Sequence, residues 1–308
     1  MPTSVILRNS LNFNLLYPAL YGTLQPEAIL LRETNYHLQA PIHMSIALLA
    51  DLHNRPYQSI IDSLTVHRPD MICIAGDLIY SITPTEDTPV VQIESNVLPF
   101  LVACRKLAPT FVSLGNHEWM LSDTDFQLIR STGVTLLDNN WCVWNGLVIG
   151  GLSSARVTEY QIYRSGKEGR FPKLEATDHQ RFHSDTEGCY TKSEYARSSV
   201  PIEPEIAWMD TFEQQQGYHI LLSHHPEYWE PYLMNRRIDL VLSGHAHGGQ
   251  IRLFGHGLYA PGQGCWPKYT HGVHTGVFGT MIISAGLSNT GGIIPRLFNP
   301  REIIYIML

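Results

Sequence analysis

The feature that most constrains this chain is a pattern that occurs five times: a mostly apolar run of four to seven residues is followed by a short motif containing Asp, Asn or His. The runs are 44–50, 71–75, 111–114, 219–223 and 240–243, and the motifs after them read DLH, GD, GNHE, HHP and GHAH. Runs of this length are typical of strands buried on both faces of a sheet. Ligand sites in open α/β sheets lie beyond the carboxyl ends of strands. The pattern therefore predicts an α/β domain in which the five motifs share one site.

Helices with one apolar face are predicted between these strands, over 56–67 and 204–216. Asn54 is available to cap the first of these helices. Further strands are predicted at 147–150, 250–254, 277–285 and 302–308. The part after Gly249 is therefore expected to be rich in β-structure.

The residue types in the motifs are those that bind metal ions at hydrolytic sites. Asp, Asn and neutral His are the ligands expected for Mn, Fe or Zn. A carboxylate can bridge two cations, and two ions about 3.5–4 Å apart can hold a phosphoryl group and activate a water. The candidate ligands are Asp51, His53, Asp77, Asn116, His224, His245 and His247. Together they predict a centre for two metal ions.

The ordered set DLH, GD, GNHE, HHP and GHAHGGQ resembles the calcineurin-like metallophosphoesterase superfamily. The GHAHGGQ motif and the ending GLSNTGGIIPRLFNPREI resemble its YkuE-type bacterial phosphohydrolase branch. The resemblance implies an α/β fold, a four-layer α/β/β/α sandwich of two mixed sheets. The chain is accordingly interpreted as one domain over 1–308, with an N-terminal segment 1–26 and a polar insertion 156–201 that is expected to border the cleft.

The resemblance also implies a role for each motif residue. It implies one ion held by Asp51, His53 and His247, a second ion held by Asn116, His224 and His245, and a bridging Asp77. His117 would face the substrate and protonate the leaving oxygen, a role that suits a side chain with a pKa near neutral. Glu118 would orient His117, as carboxylates orient catalytic histidines.

The sequence departs from the usual motifs in three places. Tyr80 ends the segment GDLIY where the family usually has GDxxD, which leaves the metal ligands in place but puts the loop geometry in doubt. Glu118 stands where Asp is more usual, and Ala246 replaces a common Thr. His225 beside His224 remains an alternative ligand.

Several other residues allow two interpretations. Arg296 could bind phosphate through its guanidinium group, or it could be structural. A group of histidines in a loop rich in Gly and Pro is expected at the surface or rim: His256, His271 and His274. Three aromatic residues could either line the cleft or pack elsewhere: Trp119, Tyr160 and Trp266.

Charge and cysteine usage exclude several classes of protein. The formal net charge of -7 argues against a nucleic-acid binder, which needs a basic surface. It permits a phosphate substrate, because metal ions supply local positive charge. The five cysteines form no CxxC pair and indicate a reducing compartment, so a cytoplasmic location is expected. No apolar run approaches the roughly 18 residues of a membrane helix and no secretory signal is evident, which leaves peripheral membrane contact open.

The sequence therefore predicts an enzyme that hydrolyses a small phosphate ester, either a monoester or a diester, with a hydroxide activated by two transition-metal ions. Two alternatives remain: a pyrophosphatase for a lipid-linked nucleotide, and a non-catalytic metal-binding scaffold. The scaffold is disfavoured because every ligand position and His117 carry the expected residue types. A nuclease is disfavoured by the acidic charge.

Overall fold

Two six-stranded β-sheets form the framework of the chain in the computed structural model. The structure describes residues 30–80, 88–154, 170–172, 189–191, 204–261, 263–288 and 296–308. The N-terminal segment 1–26 and most of the insertion 156–201 lie outside these residues. The place of the insertion beside the cleft therefore stays a prediction.

Strands and helices are numbered in chain order within the described residues. The strands are β1 (Leu31–His37), β2 (Ser45–Leu49), β3 (Met71–Ala75), β4 (Thr110–Ser113), β5 (Thr135–Leu137), β6 (Asn140–Trp144), β7 (Leu147–Leu152), β8 (Arg170–Pro172), β9 (Cys189–Thr191), β10 (Tyr218–Ser223), β11 (Leu240–Ser243), β12 (Arg252–Leu253), β13 (His256–Gly257), β14 (Tyr259–Ala260), β15 (Gly264–Cys265), β16 (Gly272–Thr275), β17 (Thr280–Ile283) and β18 (Arg301–Met307). The α-helices are α1 (Gln58–His67), α2 (Val90–Ile93), α3 (Val97–Leu107), α4 (Asp123–Ser131) and α5 (Met209–Glu213).

Both large sheets are mixed. The first has the strand order β1-β18-β2-β3-β4-β5, in which β2 to β5 are parallel and β18 is antiparallel to β2. The second has the order β16-β17-β11-β10-β7-β6, in which β7, β10, β11 and β17 are parallel and the two edge strands are antiparallel. The carboxyl ends of the parallel strands within each sheet therefore meet at one edge.

Alternating side chains of the strands build three apolar layers. Ile46 and Leu48 of β2 pack between the two sheets, against residues such as Ile220 of β10. The next residues along β2, Ala47 and Leu49, face the opposite way and pack under α1, α3 and α4. This alternation is the period of two that a strand imposes, and each large aliphatic side chain that is fully buried contributes roughly 1.5–3 kcal/mol.

The outer face of the second sheet is covered by the third apolar layer. Met209 and Phe212 of α5 pack there with Trp229 and Leu233 of a π-helical turn, Trp229–Leu233. Helices thus cover both outer faces of two stacked sheets. The predicted four-layer α/β/β/α sandwich of two mixed sheets is confirmed.

Two local predictions were wrong. The helix predicted over 204–216 is helical only at Met209–Glu213, because the glutamines after it have no apolar face to bury and Gly217 follows with φ 144°. Asn54 does not cap the first helix, which begins after Tyr57. The Asn54 side chain instead accepts a hydrogen bond from the backbone N–H of Asn96, 2.9 Å away.

The part after Gly249 is rich in β-structure, as predicted, but its strands are shorter. Of the predicted strand 250–254 only Arg252–Leu253 is extended, paired with His256–Gly257 in a small hairpin. The predicted strand 277–285 is reduced to Thr280–Ile283. These short elements follow the two histidines of the GHAH motif and support the loop that carries them.

Candidate metal centre

The loops after β2 and β3 stay paired beyond the ends of their strands. The backbone N–H of Asp51 donates to the carbonyl oxygen of Gly76 at 3.1 Å, and the N–H of His53 donates to the carbonyl oxygen of Asp77 at 3.1 Å. This pairing places the DLH and GD motifs side by side. Asp51, His53 and Asp77 are all buried.

The GHAH loop of the second sheet lies against the DLH motif of the first. The Asp51 carboxylate accepts hydrogen bonds from the backbone N–H of His245, at 3.1 Å to Oδ1 and 3.2 Å to Oδ2. A Cβ atom on Gly244 would lie 2.8 Å from Asp51 Oδ2, so the close approach of the GHAH loop requires glycine. The first and last motifs, 194 residues apart, therefore form one site.

Five of the seven predicted ligands have a left-handed backbone. The φ angles are 58° at Asp51, 47° at His53, 56° at Asp77, 65° at His245 and 46° at His247. This region is uncommon outside glycine, although Asp, Asn and His enter it more readily than other residues. Each such residue costs on the order of 1–3 kcal/mol. The sequence pattern did not predict this backbone strain. The left-handed conformation lets side chains from several short loops point toward the same site.

The imidazoles and carboxylates of the described residues form four overlapping groups, two of which contain six of the seven predicted ligands. Within each group the ligand atoms lie within 4.8 Å of one another: Asp51, His53 and His247 in the first, and Asp77, His224 and His245 in the second. The Asp77 Oδ2 atom lies 3.1 Å from His224 Nε2 and 3.6 Å from His53 Nε2, so it lies between the groups.

Asn116 is placed against this carboxylate by its neighbours. The backbone N–H of His117 donates to Asp77 Oδ1 at 3.0 Å. A Cβ atom on Gly115 would lie 2.2 Å from the same oxygen. The Asn116 Oδ1 atom is buried and has no hydrogen-bond partner.

Unpartnered buried atoms at this site fit a cation. The atoms concerned are His53 Nε2, Asn116 Oδ1 and His224 Nε2. A buried polar atom without a partner costs about 1–3 kcal/mol and needs an explanation such as a bound ion. Metal coordination would satisfy these atoms, and N and O donors of this kind suit Mn, Fe or Zn.

Two of the histidines are already oriented for such binding. His53 Nδ1 lies 3.1 Å from the carbonyl oxygen of Ile79, and His224 Nδ1 lies 2.7 Å from that of Ala75. Because a carbonyl oxygen can only accept, Nδ1 carries the proton in each ring. The Nε2 atom therefore faces the centre, as in metal-binding histidines held by an outer partner.

Burial and neighbouring charges shift the pKa values of the groups in the centre. Burial raises the pKa of Asp51 to about 7 and lowers the pKa of His53 to about 3. Burial also opposes the charge of Asp77, but His224 and His117 outweigh it and hold the Asp77 pKa well below its usual range. Burial keeps the pKa of His247 well below its ordinary value. His53 and His247 are thus neutral imidazoles and Asp77 is an ionised carboxylate, the states that bind a metal ion. Burial would lower the pKa of His224, but Asp77 and Asp51 raise it to about 10.

His117 lies at the opening of the centre. Its side chain is 27% exposed, whereas those of His53 and His224 are fully buried. Its Nε2 atom lies 3.8 Å from Asp77 Oδ2, and its ring centroid lies 4.4 Å from that of His53. His117 is thus within reach of both the carboxylate and any group that enters the cleft.

The Glu118 carboxylate is bonded to backbone N–H groups of two motif loops. Its carboxylate accepts backbone hydrogen bonds from Asp77 at 2.9 Å, Leu78 at 2.7 Å, Ile79 at 3.3 Å and Gly115 at 2.6 Å. These bonds tie the GNHE loop to the GD loop. This buried carboxylate therefore holds two motif backbones together, and its orienting of the His117 ring stays a prediction.

Tyr80, the departure from GDxxD, lies at the rim. Its side chain is 39% exposed, and its ring centroid lies 6.2 Å from that of His53 and 6.5 Å from that of His117. The Arg55 guanidinium stacks 5.4 Å from the centre of the Tyr80 ring. Sequence reasoning passed over Arg55, although its position two residues after His53 was a usable signal.

Arg296 is structural and does not face a phosphate. Its guanidinium is buried and donates to the backbone carbonyl oxygens of Asn299 at 2.6 Å, Ser288 at 2.7 Å and Pro300 at 2.8 Å, with a further bond to Ala285 at 2.5 Å. The structural interpretation of this residue is therefore the correct one.

The remaining candidates lie away from the centre or outside the residues that the structure describes. Trp266 is 76% exposed and His256 is exposed, whereas His271 and His274 are partly buried. Nothing describes the side chain of Trp119, and Tyr160 lies outside the described residues.

The stacked sheets and the cluster of Asp, Asn and His donors at their edge define a metal-dependent hydrolase type of site. The model of the calcineurin-like phosphoesterase family matches residues 44–249, more than half of the 308 residues. The chain belongs to this family.

Curated relatives agree with this assignment. An "uncharacterized metallophosphoesterase" of Helicobacter pylori strain J99 is 27% identical over 272 residues, which cover 86% of this chain and 60% of the relative. A Campylobacter jejuni protein of the same description is 27% identical over 266 residues, covering 85% of this chain and 57% of the relative. A zebrafish (Danio rerio) "transmembrane protein with metallophosphoesterase domain" is 25% identical over 217 residues, covering 68% and 41%. The chain thus spans 60% or less of the length of these relatives.

Within the described parts of the chain, no helix has both the length and the apolar character needed to cross a membrane.

Proposed function

We propose that this protein is a phosphoesterase with two metal ions, which hydrolyses a small phosphate ester. The observation that carries the proposal is the Asp77 carboxylate, which lies 3.6 Å from His53 Nε2 and 3.1 Å from His224 Nε2. Those two histidines belong to different groups of ligand atoms, and a further group joins His53 to Asp77 and His117. A carboxylate in this position suits a bridge between two ions.

The proposed ligand sets follow the two groups. One ion would be held by Asp51, His53 and His247, and the other by Asn116, His224 and His245, with Asp77 shared. When bound, two ions of the Mn, Fe or Zn type supply charge stabilisation for the phosphoryl group and an acidified water.

The chain supplies the remaining groups. His117 is placed to donate a proton from its ring to the leaving oxygen of the ester. Glu118 keeps its loop fixed through four backbone hydrogen bonds. Arg55, stacked on Tyr80 at the rim, offers the cationic side chain for an anionic part of the substrate.

The proposal is tested by a hydrolysis assay with added Mn or Zn. The substrate panel contains phosphomonoesters, phosphodiesters, nucleotide pyrophosphates and phospholipid headgroups. Metal-dependent release of phosphate or alcohol from a mono- or diester is the expected result. Activity restricted to pyrophosphates would favour the pyrophosphatase alternative, and no hydrolysis by a protein that holds two ions would favour a scaffold.

A further inference from the structure

Another group of donors lies beside the proposed centre and is not explained by it. His225, Glu227 and His245 offer ligand atoms that all lie within 4.8 Å of one another. The Glu227 Oε1 atom is 2.8 Å from His225 Nδ1 and 3.5 Å from His245 Nε2. On the sequence His225 was an alternative ligand, whereas Glu227 lay in none of the candidate sets.

Glu227 is held in an unusual place for a carboxylate. Its side chain is only 11% exposed, and its Oε2 atom is buried without a hydrogen-bond partner. It follows Pro226 in a short 3₁₀ turn, Pro226–Tyr228, directly after the HHP motif. Burial of a carboxylate is unfavourable unless its oxygens are paired, so the two imidazoles must account for its position.

The two ring nitrogens of His245 face different partners. The Nε2 atom faces Glu227, so Nδ1 is the nitrogen left to reach a metal ion. This is the reverse of His53 and His224, whose Nδ1 atoms bond to backbone carbonyls and whose Nε2 atoms face the centre. His245 is thus turned around, and its outer partner is a carboxylate in place of a carbonyl.

We propose that Glu227 is a positioning residue that accepts the Nε2–H of His245 and so presents Nδ1 to the second metal ion. The inference rests on the proposed two-metal function. A movement of about 0.5 Å brings the 3.5 Å contact to hydrogen-bond length. A carboxylate in this place also makes the imidazole a more basic ligand. His225 anchors the same oxygen through its 2.8 Å bond and prevents Glu227 from turning away.

The test compares Glu227→Gln with the wild-type protein and with Glu230→Gln. Glu230 is a matched control, because it lies three residues further on but is exposed and bonds to Lys268 and Tyr269. Each protein is titrated with Zn against a competing chelator to obtain the number of ions and the affinity of each. The absorption spectrum of the Co²⁺-loaded protein reports on the ligand geometry of each ion.

Glu227→Gln is expected to bind two ions, one with affinity weakened about 10–100-fold and the other unchanged. The Co²⁺ bands of the weakened ion alone should shift, and Glu230→Gln should match the wild type. Glu227→Asp, which keeps the charge, is carried in parallel in case the Gln variant does not fold, and it is expected to lose less affinity.

Three results would overturn the assignment. Unchanged affinities and spectra in Glu227→Gln would mean that Glu227 only supports the local fold. Three ions in the wild type and two in the variant would make Glu227 a ligand of a third ion. Fewer than two ions in the wild type, a result obtained before any variant is compared, would instead refute the proposed function itself.

Discussion

Two neighbouring regions of this molecule bury charged side chains in opposite ways. In the C-terminal charge cluster, formed by Arg296 and Glu302, the guanidinium bonds to four carbonyl oxygens. Glu302 accepts bonds from the N–H of Ala285 at 2.9 Å, from Thr34 Oγ1 at 2.5 Å and from Arg32. In the metal centre, by contrast, His53 Nε2 and Asn116 Oδ1 are buried without partners. A buried charged group whose hydrogen bonds are all made indicates a structural role. Buried N and O atoms that point to one place without hydrogen-bond partners indicate a bound ligand.

The two regions are also in contact. A Cβ atom on Gly286 would lie 2.8 Å from Asp51 Oδ2. The residue before it, Ala285, bonds to both Arg296 and Glu302. The fully paired cluster therefore packs directly behind Asp51, a candidate metal ligand. The comparison predicts that substitutions in the centre change metal content and activity, whereas substitutions in the cluster change stability.

The largest effect is expected from Asp77→Asn. Loss of the bridging charge should reduce the metal content from two ions toward zero at Zn concentrations that saturate the wild type, and hydrolysis should fall with it. Elemental analysis and an activity assay on the same preparation measure both quantities. Asp70→Asn is the matched control, since this exposed carboxylate precedes the strand that Asp77 follows. Asp77→Asn with two tightly held ions would contradict the bridge.

Next in size is the loss of stability in Arg296→Met. Removal of the guanidinium leaves four buried carbonyl oxygens without their donor, so the free energy of unfolding should fall by about 3–5 kcal/mol. Urea unfolding of metal-free protein gives the value. Arg105→Met, which removes an exposed arginine with a bond to the Gly133 carbonyl, should change it by less than about 0.5 kcal/mol. Equal losses of stability in Arg296→Met and Arg105→Met would mean that complete hydrogen bonding of a buried charge does not identify a structural role.

His117→Asn should reduce the rate while both ions stay bound. General acid catalysis is worth about 10²–10⁴ in rate, or roughly 3–5 kcal/mol of barrier. The loss should be large for an alkyl ester and smaller for an activated aryl ester, because a good leaving group needs little protonation. Rates on both esters and the metal content are measured together. Equal losses on both esters, or a missing ion, would make His117 a ligand or a structural residue.

The smallest predicted effect is the pH dependence that Glu302 contributes. Burial alone would raise its pKa, but Arg32, Thr34 and the Ala285 N–H hold the folded-state pKa below the ordinary value of 4.5. The stabilisation is therefore present above that ordinary value and is lost as the pH falls toward the folded-state pKa. In Glu302→Gln the loss of unfolding free energy as the pH falls below about 4.5 should be smaller than in the wild type. Identical pH profiles for the two proteins would refute this.

Much of the fold could be predicted because burial leaves a local mark on a sequence, either a continuous apolar run or a helical period. The runs at 44–50 and 71–75 correspond to Ser45–Leu49 and Met71–Ala75, since strands buried on both faces need apolar residues at every position. The helix predicted over 204–216 is helical only at Met209–Glu213, because the glutamines that follow have no apolar face to bury.

The sequence by itself determined the residue types of the centre, their order, and the strands that end beside them. Only the tertiary structure decided how those residues are used: the left-handed φ angles of Asp51 and Asp77, the backbone bonds of Glu118, and the approach of Glu227 to His245. The physical reason is that burial is recorded locally by periodicity. A hydrogen bond such as that between Asp51 and His245, 194 residues apart, depends instead on how two sheets stack and leaves no local pattern.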